Sequence, residues 1–151
     1  MLKGMNTLSL AIGGLLCALL APSAQARDTV HMLSVESAMN TPDAKQKLDP
    51  SIKFIFADAP HGKVLEEHGN FVTNKKTNAF GKSDQAACNW VMLSALLSLQ
   101  DRVRTEGGNA VINIESYYKQ QPNVSRTEFD CHAGAIMAGV ALRGDVVTLA
   151  E

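Results

Sequence analysis

Four histidines and a pair of cysteines are the side chains of this chain best equipped for chemistry. His31, His61, His68 and His132 could ligate a transition metal through imidazole nitrogens, and Cys88 and Cys131 could supply thiolates. A zinc or copper site needs three or four such ligands to converge, and none of the histidines forms a close helical pair. His61, His68 and His132 are the first candidates for such a metal set. Asp130-Cys131-His132 has the residue types of a thiol–imidazole catalytic pair. Adjacent strand residues point to opposite faces, however, so Cys131 and His132 are poorly placed to share a proton. A hydrolase would need His61 to converge with Asp58 or Glu66 in a cleft. No Gly-x-Ser-x-Gly elbow, Cys-x-x-Cys pair or His-Glu-x-x-His helix is present, and Gly107-Gly108 lacks the Lys-Ser/Thr of a phosphate loop. No catalytic or cofactor-binding constellation emerges, and the expectation is a non-enzyme without cofactor.

The redox state of the cysteines depends on where the chain resides. Lys3, the apolar run Ala11–Ala21 and the small residues of Ala24-Gln25-Ala26 have the layout of a signal peptide cleaved after Ala26. The run is too short for a settled bilayer span, and no later segment could cross as a helix. Cys17 follows Leu15-Leu16, where a lipoprotein cleavage box requires a small residue. The expected product is one domain, 27–151, periplasmic or secreted, without a membrane span. In an oxidising compartment the remaining pair, Cys88 and Cys131, would by default form a disulfide. It would close a loop of roughly 44 residues, giving about 4 kcal/mol in the chain-entropy model. A reactive thiol pair would need a depressed pKa environment, and a metal site two further ligands. Asn123-Val124-Ser125 matches a glycosylation acceptor, of consequence only in a secretory system that uses it. The net charge of −1 excludes the concentrated basic face of a nucleic-acid binder.

The elements that must position these residues follow from period and punctuation. Thr29–Val35 reads as a strand, and Asn40 or Thr41 before Pro42 starts a short helix near 42–48. Ile52–Ala57 reads as a second strand, with Ile52, Phe54 and Phe56 on one face. Lys63–His68 reads as a helical turn and Gly69–Thr73 as a short edge strand. The polar stretch Asn74–Lys82 reads as an ordered loop anchored by Phe80. Ser83 caps the principal helix, about 83–106, with an apolar stripe through Ala86, Ala87, Trp90, Val91, Leu93, Leu97 and Val103. Gly107-Gly108 ends it by supplying positive-φ positions. Asn109–Tyr117 alternates as a strand, and Thr127–Arg143 forms one long strand or two, with glycines marking bulges or close approach. The fold class is α+β: a small, mostly antiparallel sheet packed by one long helix.

Three stretches carry a family resemblance: Asn74-Lys75-Lys76-Thr77-Asn78-Ala79-Phe80, Gly107-Gly108-Asn109-Ala110-Val111 and Cys131-His132-Ala133-Gly134-Ala135. Together they resemble small secreted bacterial proteins that carry the genomic label "excinuclease ATPase subunit". That label is at odds with a chain having no Walker loop or zinc ribbon, so a DNA-repair ATPase is excluded. More distantly, the helix followed by Gly-x-Asn-Ala-Val-Ile and a Cys- and Gly-containing strand pair is similar to the Rcs envelope-stress sensor lipoprotein and to small "heavy-metal-binding" domains. The resemblance implies a helix fastened on a small sheet, working through partner contacts. It does not extend to the lipidated cysteine or to the sensor's four mature cysteines. The expectation is a binding or interaction module of the cell envelope, its partner a protein or envelope component. Asn74, Lys75, Lys76, Asn78 and Phe80 form its candidate interaction loop, and a periplasmic histidine-based metal binder is the alternative.

Overall fold

The computed structural model describes residues 26–151. Apart from Ala26, the expected signal peptide lies outside the described residues. The elements run β1 (Thr29–Ser34), α1 (Val35–Met39), α2 (Pro42–Lys47), β2 (Lys53–Phe56) and β3 (Val64–Asn78). They continue with α3 (Asp84–Glu106), β4 (Ala110–Ser116), a 3-10 turn (Tyr118–Gln120), β5 (Glu128–Ala133) and β6 (Met137–Leu149). Among the described residues, no helix is long and apolar enough to cross a membrane.

The six strands form one sheet organised around β6. Strand β3 pairs antiparallel along one side of β6, from Val64↔Leu149 to Asn78↔Met137. The other side of β6 is shared: β5 pairs with its start (His132↔Gly139) and β4 with its end (Ala110↔Val147). The sheet therefore forks, with β1 antiparallel on β5 and β2 parallel on β4. The architecture is α+β, with β2–β4 as the parallel exception to an otherwise antiparallel ladder.

One face of the sheet, here called the inner face, is covered by α3. Ser83 Oγ accepts from the Ala86 N–H at 3.2 Å to start this helix, and Gly107 ends it at φ +79°. Gly108 does not share the positive φ expected of it. Its place is set by space instead, because a Cβ there would lie 2.6 Å from the Val147 carbonyl oxygen. The buried stripe of α3 is centred on Cys88, Met92, Leu99 and Val103, rotated from the expected one. Trp90 is 42 % exposed and lies under Lys47 Nζ, 5.0 Å from the ring centroid. Gln100 is buried although its type suggests solvent; its Oε1 accepts from the Asp49 N–H at 2.7 Å, tying the α2–β2 connection to α3.

The segment 63–82 departs most from the sequence expectation. The helical turn at Lys63–His68 and the loop from Asn74 are instead continuous strand β3, and only Ala79–Lys82 is a turn. Cross-strand pairing with thirteen residues of β6 overrides the weak strand propensity of Asn and Lys. Strand β4 is likewise bulged between Ile112 and Glu115, with Asn113 at φ +53°, so its alternation breaks and Val111 and Ile112 are both buried.

Candidate functional site

Strand alternation separates the two residues that looked like a catalytic pair. Cys131 points to the inner face and is fully buried, bonded to Cys88 of α3 with a Cα–Cα distance of 5.8 Å. His132, one position on, points to the outer face, opposite α3. There its ring stacks on Tyr118, centroids 3.5 Å apart and planes at 14°, and its Nδ1 lies 3.3 Å from Asp28 Oδ1.

These side chains wall a groove of about 240 Å³ on the outer face, with Arg27, Lys76 and Gly139 completing it. Gly139 forms the floor: its missing side chain leaves the Tyr118 ring 3.6 Å from where a Cβ would sit. The Arg27 guanidinium is fixed by two bonds to Asp84, at 3.0 and 3.1 Å, and by the Gly134 carbonyl at 2.9 Å. That guanidinium, through its hydrogen bonds above all, holds the Asp84 carboxyl below the usual carboxylate range. His31 Nε2 lies 2.9 Å from the same carboxylate. Arg27 and His31 thereby tie the start of β1 to the first turn of α3.

The backbone beside the groove is strained. Lys119 and Gln120 are consecutive non-glycine residues at φ +50° and +61°. Each costs of order 1–3 kcal/mol, and such residues concentrate at functional sites. The strained turn is held because the Tyr117 N–H donates to the Ala141 carbonyl at 2.9 Å and Arg143 lies over the Tyr117 ring at 4.1 Å. Arg143 is in turn hydrogen-bonded by Glu115. The turn thus presents Tyr118 to His132 on one side and opens a shallow depression lined by Val72, Asn74 and Lys119 on the other.

The residues singled out from sequence are distributed unevenly over this arrangement. Asn74, Lys76 and Asn78 are exposed on the outer face of β3, whereas Lys75 faces the opposite side and Phe80 stands on the following turn. The candidate metal set does not assemble within one chain. His68 Nε2 is 2.8 Å from Thr148 Oγ1, and His132 pairs opposite Gly139. Thr148 and Gly139 lie at opposite ends of β6, about 30 Å apart along the strand. His61 Nδ1 is engaged 2.7 Å from the Gly62 carbonyl. Among the described residues, no group of three or more His, Cys, Asp or Glu could hold a metal ion. The groove contains a His–Asp pair and, among the described residues, no lining serine, threonine or cysteine for the imidazole to activate. Its features suit stacking, hydrogen bonding and ion pairing with a partner.

Tyr118 and Asp28 are the site residues that sequence reasoning missed. The available signal was the adjacency of the chain's two tyrosines, Tyr117-Tyr118, at the end of a strand and before a polar run. No family model matches the chain, and no curated protein or solved structure matches it.

Proposed function

We propose that this chain is an exported, non-enzymatic binding module of the bacterial cell envelope that receives a protein or envelope component at its Tyr118–His132 groove. The observation that carries this reading is the outer-face groove itself. It combines Lys76 of β3 with a stacked Tyr–His pair, and it is flanked by Asn74 and Asn78 on the same face of β3 and by the strained Lys119 and Gln120 of the adjoining depression. Export is supported by the leader-like N-terminus and is compatible with the Cys88–Cys131 bridge, which belongs to an oxidising compartment.

The test is capture in cells with a photo-crosslinker placed at Asn74, beside the groove. The native chain yields a defined crosslinked product, and Tyr118→Ala or Lys76→Glu reduces it at least tenfold with the disulfide and circular dichroism unchanged. Capture that is indifferent to both substitutions refutes the groove as the binding site. N-terminal sequencing of the native material reads the export arm: an N-terminus at Arg27 supports it, and an intact leader on cytosolic protein removes it.

A further inference from the structure

At the end of the sheet beyond the groove, two turns present large apolar side chains to solvent. The Ala79 carbonyl accepts from the Lys82 N–H at 3.1 Å, closing a turn with Phe80 at its first corner and Gly81, φ +71°, at its second. Asn78 Oδ1 accepts from the Phe80 N–H at 2.8 Å and fixes that corner. The β5–β6 turn sits alongside, because the Ala79 N–H donates to the Ile136 carbonyl at 2.8 Å. Phe80 is 73 %, Ile136 61 % and Met137 44 % exposed. Exposed apolar residues scattered singly need no explanation, but three on adjoining, hydrogen-bonded turns form a built projection.

The charges around this tip are polarised. Lys82 belongs to the turn itself, its Nζ donating to the Asn78 carbonyl at 3.1 Å, and Lys76 and Lys75 lie two and three residues before Asn78 on opposite faces of β3. Of the acids at this end, Asp84 is engaged by Arg27 and Asp28 by His132. The opposite end of β3 carries Glu66 and Glu67, so the cationic excess belongs to the tip although the chain as a whole is −1. Apolar side chains on a convex, pinned tip with a lysine collar match an anionic lipid surface, where the former enter the headgroup boundary and the latter meet the phosphates.

We infer that the Phe80–Ile136 tip docks the protein on an anionic bilayer surface. This deepens the envelope reading above and rests on it only for placing the chain where such a surface is met. The tip adjoins the Tyr118–His132 groove, whose lining includes Met137 and Lys76, so the two are told apart by variants that touch one alone: Phe80, Ile136, Lys75 and Lys82 for the tip, Tyr118 for the groove.

The experiment is co-sedimentation of the purified chain with vesicles of equimolar phosphatidylglycerol and phosphatidylcholine, against vesicles of phosphatidylcholine alone. The expected result is binding to the first and not the second, reversed by high salt. Phe80→Ser with Ile136→Ser lowers the partition coefficient about tenfold or more. Lys75→Ala and Lys82→Ala lower it about fivefold each. All four positions lie outside the buried core, and circular dichroism and the oxidised disulfide verify folding. Tyr118→Ala, which removes the groove, leaves vesicle binding unchanged. Absence of binding at low salt, equal binding to neutral vesicles, or indifference to the tip substitutions overturns the inference. So does a dimer abolished by Phe80→Ser with Ile136→Ser, which assigns the tip to a second copy. Failure on vesicles with groove-dependent crosslinking intact sinks this inference alone; loss of the crosslink with vesicle binding intact sinks only the groove.

Discussion

On the inner face of the sheet, α3 and the Cys88–Cys131 bridge leave Phe129, Val140 and Leu142 without solvent contact, and Met92, Leu96 and Leu99 fill the space above them. On the outer face near β1 and β5, the same strands leave Val30 and Met32 half-exposed and turn His132 into a groove. Among the described residues, the β2–β4 end of the outer face is closed by a small cluster of Ala110, Ile112, Val147 and Leu149. Alternation along β5 and β6 thus places one set of side chains in the core and the set between them along the groove proposed for binding. The comparison can be broken by substitutions: inner-face changes should alter unfolding and spare binding, and outer-face changes should do the reverse.

The largest effect is expected from the bridge. Replacing both Cys88 and Cys131 by alanine releases a constraint between residues 43 apart in sequence, and the entropy of closing such a loop is worth about 4 kcal/mol. Urea denaturation of the double variant should show that loss of unfolding free energy. A loss below about 1 kcal/mol would mean that α3 is held on the sheet by packing alone.

Next in size is Gly144→Ala on β6. A Cβ there would lie 2.6 Å from Val111 Cγ1 and 3.1 Å from Ile114 Cγ1, at the β4 bulge. Overpacking of this kind costs about 1–3 kcal/mol, read as a lower urea midpoint with the slope unchanged. A smaller effect of opposite sign is expected at Thr73, whose buried Oγ1 has no hydrogen-bond partner among the described residues. Thr73→Val removes that hydroxyl while keeping the branched shape, and should raise stability by about 1 kcal/mol. If thermal melting shows destabilisation instead, the hydroxyl is satisfied by ordered water.

Tyr118→Ala probes the other side of the comparison. The stack with His132 is worth about 0.5–1.5 kcal/mol in a buried pair, and it lies here on the open face. The unfolding free energy should move by less than about 1 kcal/mol while groove-dependent crosslinking is lost. A larger drop would show that the 3-10 turn holds the fork between β4 and β5, making the outer face structural as well.

The inner face was the more legible of the two in sequence, and the reason is physical. Apolar period in α3, the Ser83 cap and the cysteine pair are local signals that tertiary packing reinforces. Of strand β3 only Gly69–Thr73 was legible; its two ends were hidden because Glu66, Asn74, Lys75 and Lys76 have low strand propensity, and the facing length of β6 makes them extended. Gln100 and Trp90 exchanged expected places because hydrogen bonding to Asp49 and cover by Lys47 are decided by partners far away in sequence. The groove was invisible for the same reason: Asp28, Tyr118, His132 and Lys76 come from four separate segments, joined by register alone.

The smallest effect concerns acid, and it locates a joint of the inner face. Asp49 accepts from the Ser51 hydroxyl and N–H at 2.6 and 2.9 Å and from Arg104 of α3 at 3.0 Å. These bonds, those from Ser51 first, draw its carboxyl from 3.8 down to about 2. The folded value lies below the unfolded one, so the contribution is complete above about pH 4 and fades as pH falls toward about 2. Urea midpoints measured across that window should decline in the native chain and decline less in Asp49→Asn, which keeps the shape but has no carboxyl to titrate. The groove end supplies the control, since Asp84 is depressed in the same direction by Arg27. If Asp84→Asn flattens the acid profile and Asp49→Asn does not, the pH-sensitive tie lies at the Arg27–Asp84 pair beside the groove, and the division between a stabilising inner face and the outer face proposed for binding fails at that end.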